Sequence, residues 1–211
     1  MRIFIGYDKR QPLAYNVCRS SIERRASERV RIEPLMIDWL PMKRRGLTDF
    51  TFTRYMVPYL CQYAGDAMFL DPDMIVLDDI FKVFEHYDSR NAVSVVKNPL
   101  KFEWPSMMIF NNSLCKELTP EYIEKNSPQK LEWADKIGEL PTEWNHLVGY
   151  DKPNPDAKIV HFTKGIPCWP ETNFGEFAQE WCDEANYANS TVTWDELMGG
   201  SVHAKTMTVI K

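Results

Sequence analysis

With 211 residues the chain is long enough for one domain with a full core, and its 44% apolar and 26% charged content matches globular proteins, which excludes a disordered chain. Its 25 basic side chains against 30 acidic ones give a net charge of −5, which argues against nucleic-acid binding, because that affinity comes from a basic excess. Cys18, Cys61, Cys115, Cys168 and Cys182 lack metal-finger spacing, no secretory segment precedes the first apolar run, and none approaches the ~18 apolar residues of a membrane span. A reduced, cytoplasmic protein is expected. The small basic clusters Arg24-Arg25 and Lys43-Arg44-Arg45 read as solvated faces.

Ile3-Phe4-Ile5 has the character of a buried strand, and Gly6-Tyr7-Asp8 of the loop at its carboxyl end. A helix follows, with Leu13, Val17, Cys18, Ser21 and Ile22 on one face and Pro12 in its first turn. A strand over 31–38 completes a parallel strand–helix–strand unit. Residues 48–63 suggest a helix that Pro58 kinks or breaks. Ala67-Met68-Phe69-Leu70 is an apolar strand that stops at Asp71-Pro72-Asp73. A second apolar run, Met74 to Leu77, comes next, followed by an amphipathic helix over 80–86.

Further strands are expected over 92–96, 106–110 and 158–162, the last as a core strand. Thr119-Pro120-Glu121 is a helix start, residues 174–187 suggest another helix, and Thr193 with Glu196 resembles a capping box. No repeat or linker interrupts residues 1–211. The expectation is a single α/β domain with a mostly parallel central sheet flanked by helices.

Asp71-Pro72-Asp73 carries the strongest chemical signal. In extended backbone, residues i and i+2 project to one side, so both carboxylates converge. Pro72 lacks an N–H, which places the trio at a strand end, where ligands of open α/β sheets gather. Two adjoining carboxylates repel unless a cation lies between them, and oxygen donors favour Mg²⁺ or Mn²⁺, which bridge diphosphate oxygens.

The segment AMFLDPDMIVLDDI resembles the central motif of GT-A-fold glycosyltransferases, in particular glycosyltransferase family 8, which includes glycogenin and the lipopolysaccharide galactosyltransferases. Other segments agree in order. RIFIGYD resembles the first strand and nucleotide loop, and TFTRYMVPYL the helix before the metal motif. SMMIFNN, LPTEWNHL and HFTKGIPCW resemble later strands and the closing motif. The resemblance spans roughly residues 2–170. It implies a GT-A-like nucleotide-diphospho-sugar transferase fold, a divalent metal (Mn²⁺ or Mg²⁺), a uridine-diphosphate sugar donor and retention of anomeric configuration.

Residue by residue, the resemblance implies Asp71, Asp73 and His161 as metal ligands. It implies Lys164 and Gly165 beside the donor diphosphate, Tyr7 and Asp8 at the nucleobase and ribose, and Arg54 near the diphosphate. Trp104-Pro105-Ser106 departs from the family's Asn-Ser/Ala-Gly turn. The family's Asp-Gln segment has no clean match, with Glu132, Asp135 and Glu143 as candidates. Trp144 and Trp169 read as core or wall aromatics rather than sugar platforms.

The expected activity is that of a metal-dependent hexosyltransferase acting on a hydroxyl acceptor, saccharide or other. No residue stands out as a nucleophile on the sugar. His161, ending a strand parallel to its neighbours, is expected to reach the crevice of the two aspartates; as a neutral ligand it would release a proton on binding metal. A nucleotidylyltransferase is the first alternative, but Gly6-Tyr7-Asp8-Lys9-Arg10 lacks the Gly-rich loop that cradles a triphosphate. A non-catalytic nucleotide- or glycan-binding module is the second.

Overall fold

A computed structural model describes residues 1–168 and 172–200, the side chain of Trp194 excepted. In chain order its elements begin with β1 (Arg2–Gly6), α1 (Pro12–Arg25) and β2 (Arg31–Leu35). The short helices α2 (Phe50–Thr53) and α3 (Val57–Leu60) come next, then β3 (Asp66–Leu70), β4 (Met74–Val76), β5 (Val93–Val96) and β6 (Met107–Asn111). The remainder comprises α4 (Pro120–Lys125), β7 (Ile137–Leu140), β8 (His146–Leu147), β9 (Ile159–His161), α5 (Ala178–Thr191) and α6 (Trp194–Met198). No helix among the described residues is long and apolar enough to cross a membrane.

The chain divides into two compact units, one of residues 1–8, 28–71 and 82–142, the other of residues 9–27, 72–81 and those from 143 onward. The first unit holds a six-stranded sheet in the order β2-β1-β3-β6-β5-β7. Neighbouring pairs are parallel except where β6 runs antiparallel to both β3 and β5, so the expected mostly parallel sheet is present with one reversed strand. One core here gathers Phe4, Tyr55, Met56, Phe69, Val93, Val95, Phe110 and Trp133, with the Phe110 and Trp133 rings stacked 6.2 Å apart.

The single helix expected over 48–63 is broken. Arg54–Met56 tightens into a 3₁₀ turn between α2 and α3. Pro58, in the first turn of α3, has no N–H to continue the ladder and its ring crowds the preceding carbonyls. The helix expected over 80–86 is present with those bounds, as 3₁₀ helix Ile80–His86. Its buried side chains, Ile80 and Val83, are three apart, the repeat at which a 3₁₀ helix superposes its side chains.

The second unit holds a three-stranded sheet in the order β4-β9-β8. Strand β9 is buried throughout, as expected of a core strand, but it belongs to this smaller sheet, pairing antiparallel with β4 and parallel with β8. α1 packs on β4, α5 and α6, and its buried face is the expected one, from Leu13 to Ile22. The Ser21 hydroxyl accepts from the buried Val76 N–H at 2.9 Å and donates to the Cys18 carbonyl at 2.7 Å. Ser21→Ala leaves that strand N–H without its partner, and urea unfolding should show a loss of about 1–3 kcal/mol.

α5 starts at Ala178, later than the expected Phe174, because Phe177 sits at φ 58 in the left-handed region, which helix cannot propagate through. The capping box at Thr193 and Glu196 and the Thr119 cap on α4 form as expected. Lys43 and Arg45 are exposed, as expected of a solvated face, whereas Arg24-Arg25 reaches a buried acid. Arg24 and Arg25 lie 2.8 and 2.5 Å from the buried Glu184 carboxylate, and Arg45 pairs with Asp38 and Asp49, each at 2.9 Å.

None of the five cysteines, all of them among the described residues, forms a disulfide. Burial pushes the Cys115 and Cys168 thiols each up to about 12 and raises those of Cys61 and Cys182. Because the thiolate is the reactive form, a raised value suppresses it until the pH rises. Native protein at pH 7.5 should therefore react slowly with a maleimide at these thiols, and unfolded protein rapidly. Rapid native labelling of Cys115 would overturn this.

Candidate functional site

β3 is buried from Ala67 to Leu70 and delivers Asp71 at its carboxyl end, itself 7% exposed. The Asp71 N–H donates to the Ser106 carbonyl at 2.8 Å, beside the β3–β6 ladder, before Pro72 ends the pairing. The Asp71 carboxylate lies 2.9 Å from Nη2 of Arg54. Arg54 is aimed there by further contacts. Its Nη1 donates to the Pro105 carbonyl at 2.9 Å, its Nε to the Phe50 carbonyl at 3.3 Å, and its guanidinium lies 5.0 Å from the Phe69 ring centre.

Asp73 precedes β4 by one residue, and its carbonyl accepts from the Phe162 N–H at 2.9 Å. The register Met74↔His161 sets the end of β9 against the start of β4, which brings His161 Nε2 to 3.3 Å from Asp73 Oδ1. The expected route to this meeting, parallel strands sharing a carboxyl edge, is therefore corrected: antiparallel pairing achieves it. Asp71 is joined to Asp73 through the single residue Pro72, and ligand atoms of Asp71, Asp73 and His161 all lie within 4.8 Å of one another.

The donor set fits a divalent metal. Two carboxylates and an imidazole suit Mn²⁺, and the buried Asp73 Oδ1 has His161 Nε2 at 3.3 Å but accepts no well-aligned hydrogen bond among the described residues. A buried oxygen in that state costs free energy unless something positive satisfies it.

The other expected residues occupy distinct places. Register Ile5↔Leu70 puts the Gly6-Tyr7-Asp8 loop at the same carboxyl edge of the main sheet as Asp71. A Cβ on Gly6 would come within 2.7 Å of the Phe50 ring, so only glycine permits this approach. Asp8 is buried and accepts from the Asp49 N–H at 3.4 Å; burial, then the Asp8 charge, raises the Tyr7 phenol. Lys164 is exposed, its Nζ donating to the Gly149 carbonyl at 2.9 Å and lying 4.6 Å from the Tyr150 ring centre. Gly165 takes φ 116, a conformation that glycine permits, and donates to the Phe162 carbonyl.

Glu132 and Asp135 are exposed, and Glu143 lies 4.0 Å from Lys158. Trp144 is fully buried, a core aromatic as expected, while Trp169 lies outside the described residues. Sequence reasoning missed His146, which is buried with Nε2 3.2 Å from a Glu176 carboxylate oxygen and its ring edge-on to Phe177. It also missed a cavity of about 550 Å³ in the first unit, bordered by Arg54, Lys101 and Trp104. The aromatic and basic run Lys101-Phe102-Glu103-Trp104 was its only signal.

The chain is 31% identical over 227 aligned positions to Protein CDI of Arabidopsis thaliana, covering 89% of this chain and 87% of that protein. The chain belongs to the Protein CDI family. No profile of a known protein family matches it. Among solved structures it is similar to the galactosyltransferase LgtC, at 11% identity and a TM-score of 0.62 over 89% of this chain and 96% of that one. It is also similar to the bifunctional glycosyltransferase WbbM (13%, TM-score 0.67, 95% of this chain and 51% of that one). The glycosyltransferase GlyE of Streptococcus pneumoniae TIGR4 is a third (17%, TM-score 0.59, 87% and 60%). These likenesses establish the fold: the chain has the GT-A glycosyltransferase fold.

Proposed function

We propose that this protein is a glycosyltransferase that moves a hexose from a uridine-diphosphate sugar to a hydroxyl acceptor, with retention, and depends on Mn²⁺ or Mg²⁺. The observation that carries the reading is the convergence of Asp71, Asp73 and His161 on a GT-A fold. These three side chains would hold the metal. Bound there, it supplies positive charge to the diphosphate as that group leaves the anomeric carbon. Arg54 orients the Asp71 carboxylate through their 2.9 Å contact. Tyr7 and Asp8, at the edge of β1, would hold the base and ribose, and the Lys164-Gly165 segment the diphosphate.

The direct test is a panel of nucleotide sugars scored for nucleoside-diphosphate release with Mn²⁺ and with chelator. Uridine-diphosphate hexoses should turn over with Mn²⁺ and stop with chelator; no release from any donor would overturn the reading. Binding gives a second expected outcome. Uridine diphosphate with Mn²⁺, at a hundred times its Kd, should stabilise the protein by about 2.7 kcal/mol, and adenosine or guanosine diphosphate by less. Equal melting-temperature shifts for all three would remove uridine.

A further inference from the structure

The cavity in the first unit has a chemistry that the metal cluster and the nucleotide loop do not use. Its volume, about 550 Å³, suits a small molecule of one or two rings. Lys101, Lys130 and Arg54 supply cations to its lining, Phe102, Trp104 and Tyr55 supply rings, and no lining residue is acidic. Arg54 already faces Asp71, so the surplus positive charge rests on the two lysines. Phe102 is 67% exposed, a large ring held toward open space.

The walls are fixed. Trp104 Nε1 donates to the Asn98 carbonyl at 2.9 Å, and the adjoining Pro105 carbonyl accepts from Arg54. Leu131, also in the lining, sits at φ 58, a conformation that costs a branched residue free energy and is retained where the surroundings impose it. Its N–H and the Trp133 indole N–H both bind the Pro128 carbonyl, at 3.0 and 2.8 Å, which locks the turn carrying Lys130. A rigid aromatic wall suits the apolar face of a sugar or similar ring, and the lysines suit an anionic substituent on it.

We propose that this cavity is the acceptor subsite and selects an anionic acceptor, a ring-bearing molecule with a carboxylate or phosphate group. The inference rests on the transferase reading, because Arg54 lines the cavity and touches the Asp71 carboxylate. It is specific to side chains that reading leaves idle, namely Lys101, Lys130 and Phe102.

The test measures binding, independent of turnover, by calorimetry with the full chain. Glucuronate and glucose 6-phosphate are the anionic probes, one for each source of charge, and glucose is the neutral control. At least one anion should bind about tenfold or more tighter than glucose, as expected when a charge-assisted hydrogen bond is added. Which of them does so distinguishes carboxylate from phosphate. The preference should shrink with added salt and vanish in Lys101→Gln/Lys130→Gln, while Phe102→Ala should weaken anionic and neutral probes alike. Equal binding of all three, no binding of either anion, or an undiminished preference in the double variant would overturn the proposal. Donor hydrolysis by the native protein is scored separately, so the transferase reading and the acceptor assignment can fail independently.

Discussion

Asp73→Asn is expected to lower Mn²⁺-stimulated turnover by more than about 100-fold, since even residues that only support a metal ligand cost 10–100-fold when lost. The substitution keeps the side chain's size and removes one charged oxygen. It leaves the backbone bond from Phe162 to the Asp73 carbonyl and the Met74–His161 pairing in place, so the fold should survive. With less repulsion between the neighbouring carboxylates, the metal-free protein should be as stable as the native one or more so. Turnover unchanged at sub-saturating Mn²⁺, alongside an unchanged melting temperature, would exclude Asp73 as a ligand.

The largest expected effect on stability lies elsewhere, at Glu184. Its side chain is 2% exposed, and one oxygen lies within 2.8 Å of Arg24 and 2.5 Å of Arg25. Arg24 also lies over the Tyr187 ring at 4.9 Å. Arg24→Ala/Arg25→Ala strands a carboxylate inside the second unit, and breaking a buried pair in this way costs about 3–5 kcal/mol. Adding Glu184→Leu removes the stranded charge at similar volume and should recover most of the loss. Urea unfolding of both variants checks the pair; a loss below about 1 kcal/mol in the double variant would show that water reaches Glu184.

Much of the fold was legible because its strands are continuous apolar runs. Ile3-Phe4-Ile5, Ala67 to Leu70 and Met107 to Phe110 are buried residue after residue, which marks interior strands without further information. The Asp71-Pro72-Asp73 pair was legible for a related reason: a charged pair with an intervening proline ends such a run abruptly. Sheet membership was not legible. Whether β9 joins the main sheet or pairs with β4 depends on partners distant in sequence, and periodicity carries no information about them. Helix type was also hidden, since Ile80 and Val83 satisfy a 3₁₀ or an α-helical spacing equally well. The cavity escaped because Lys101, Trp104 and Lys130 form a pattern only after folding.

The antiparallel pairing of β4 and β9 has an evolutionary corollary. Strand side chains alternate faces with a period of two, so a single inserted residue within Ile159–His161 would turn the imidazole to the opposite face of the ladder. Substitutions in that stretch change one contact at a time, but an insertion or deletion would remove His161 from Asp73 without altering either residue. Lineages that keep the His–Asp pairing should therefore tolerate length variation in the loop between β8 and β9 and none within the β9 strand itself.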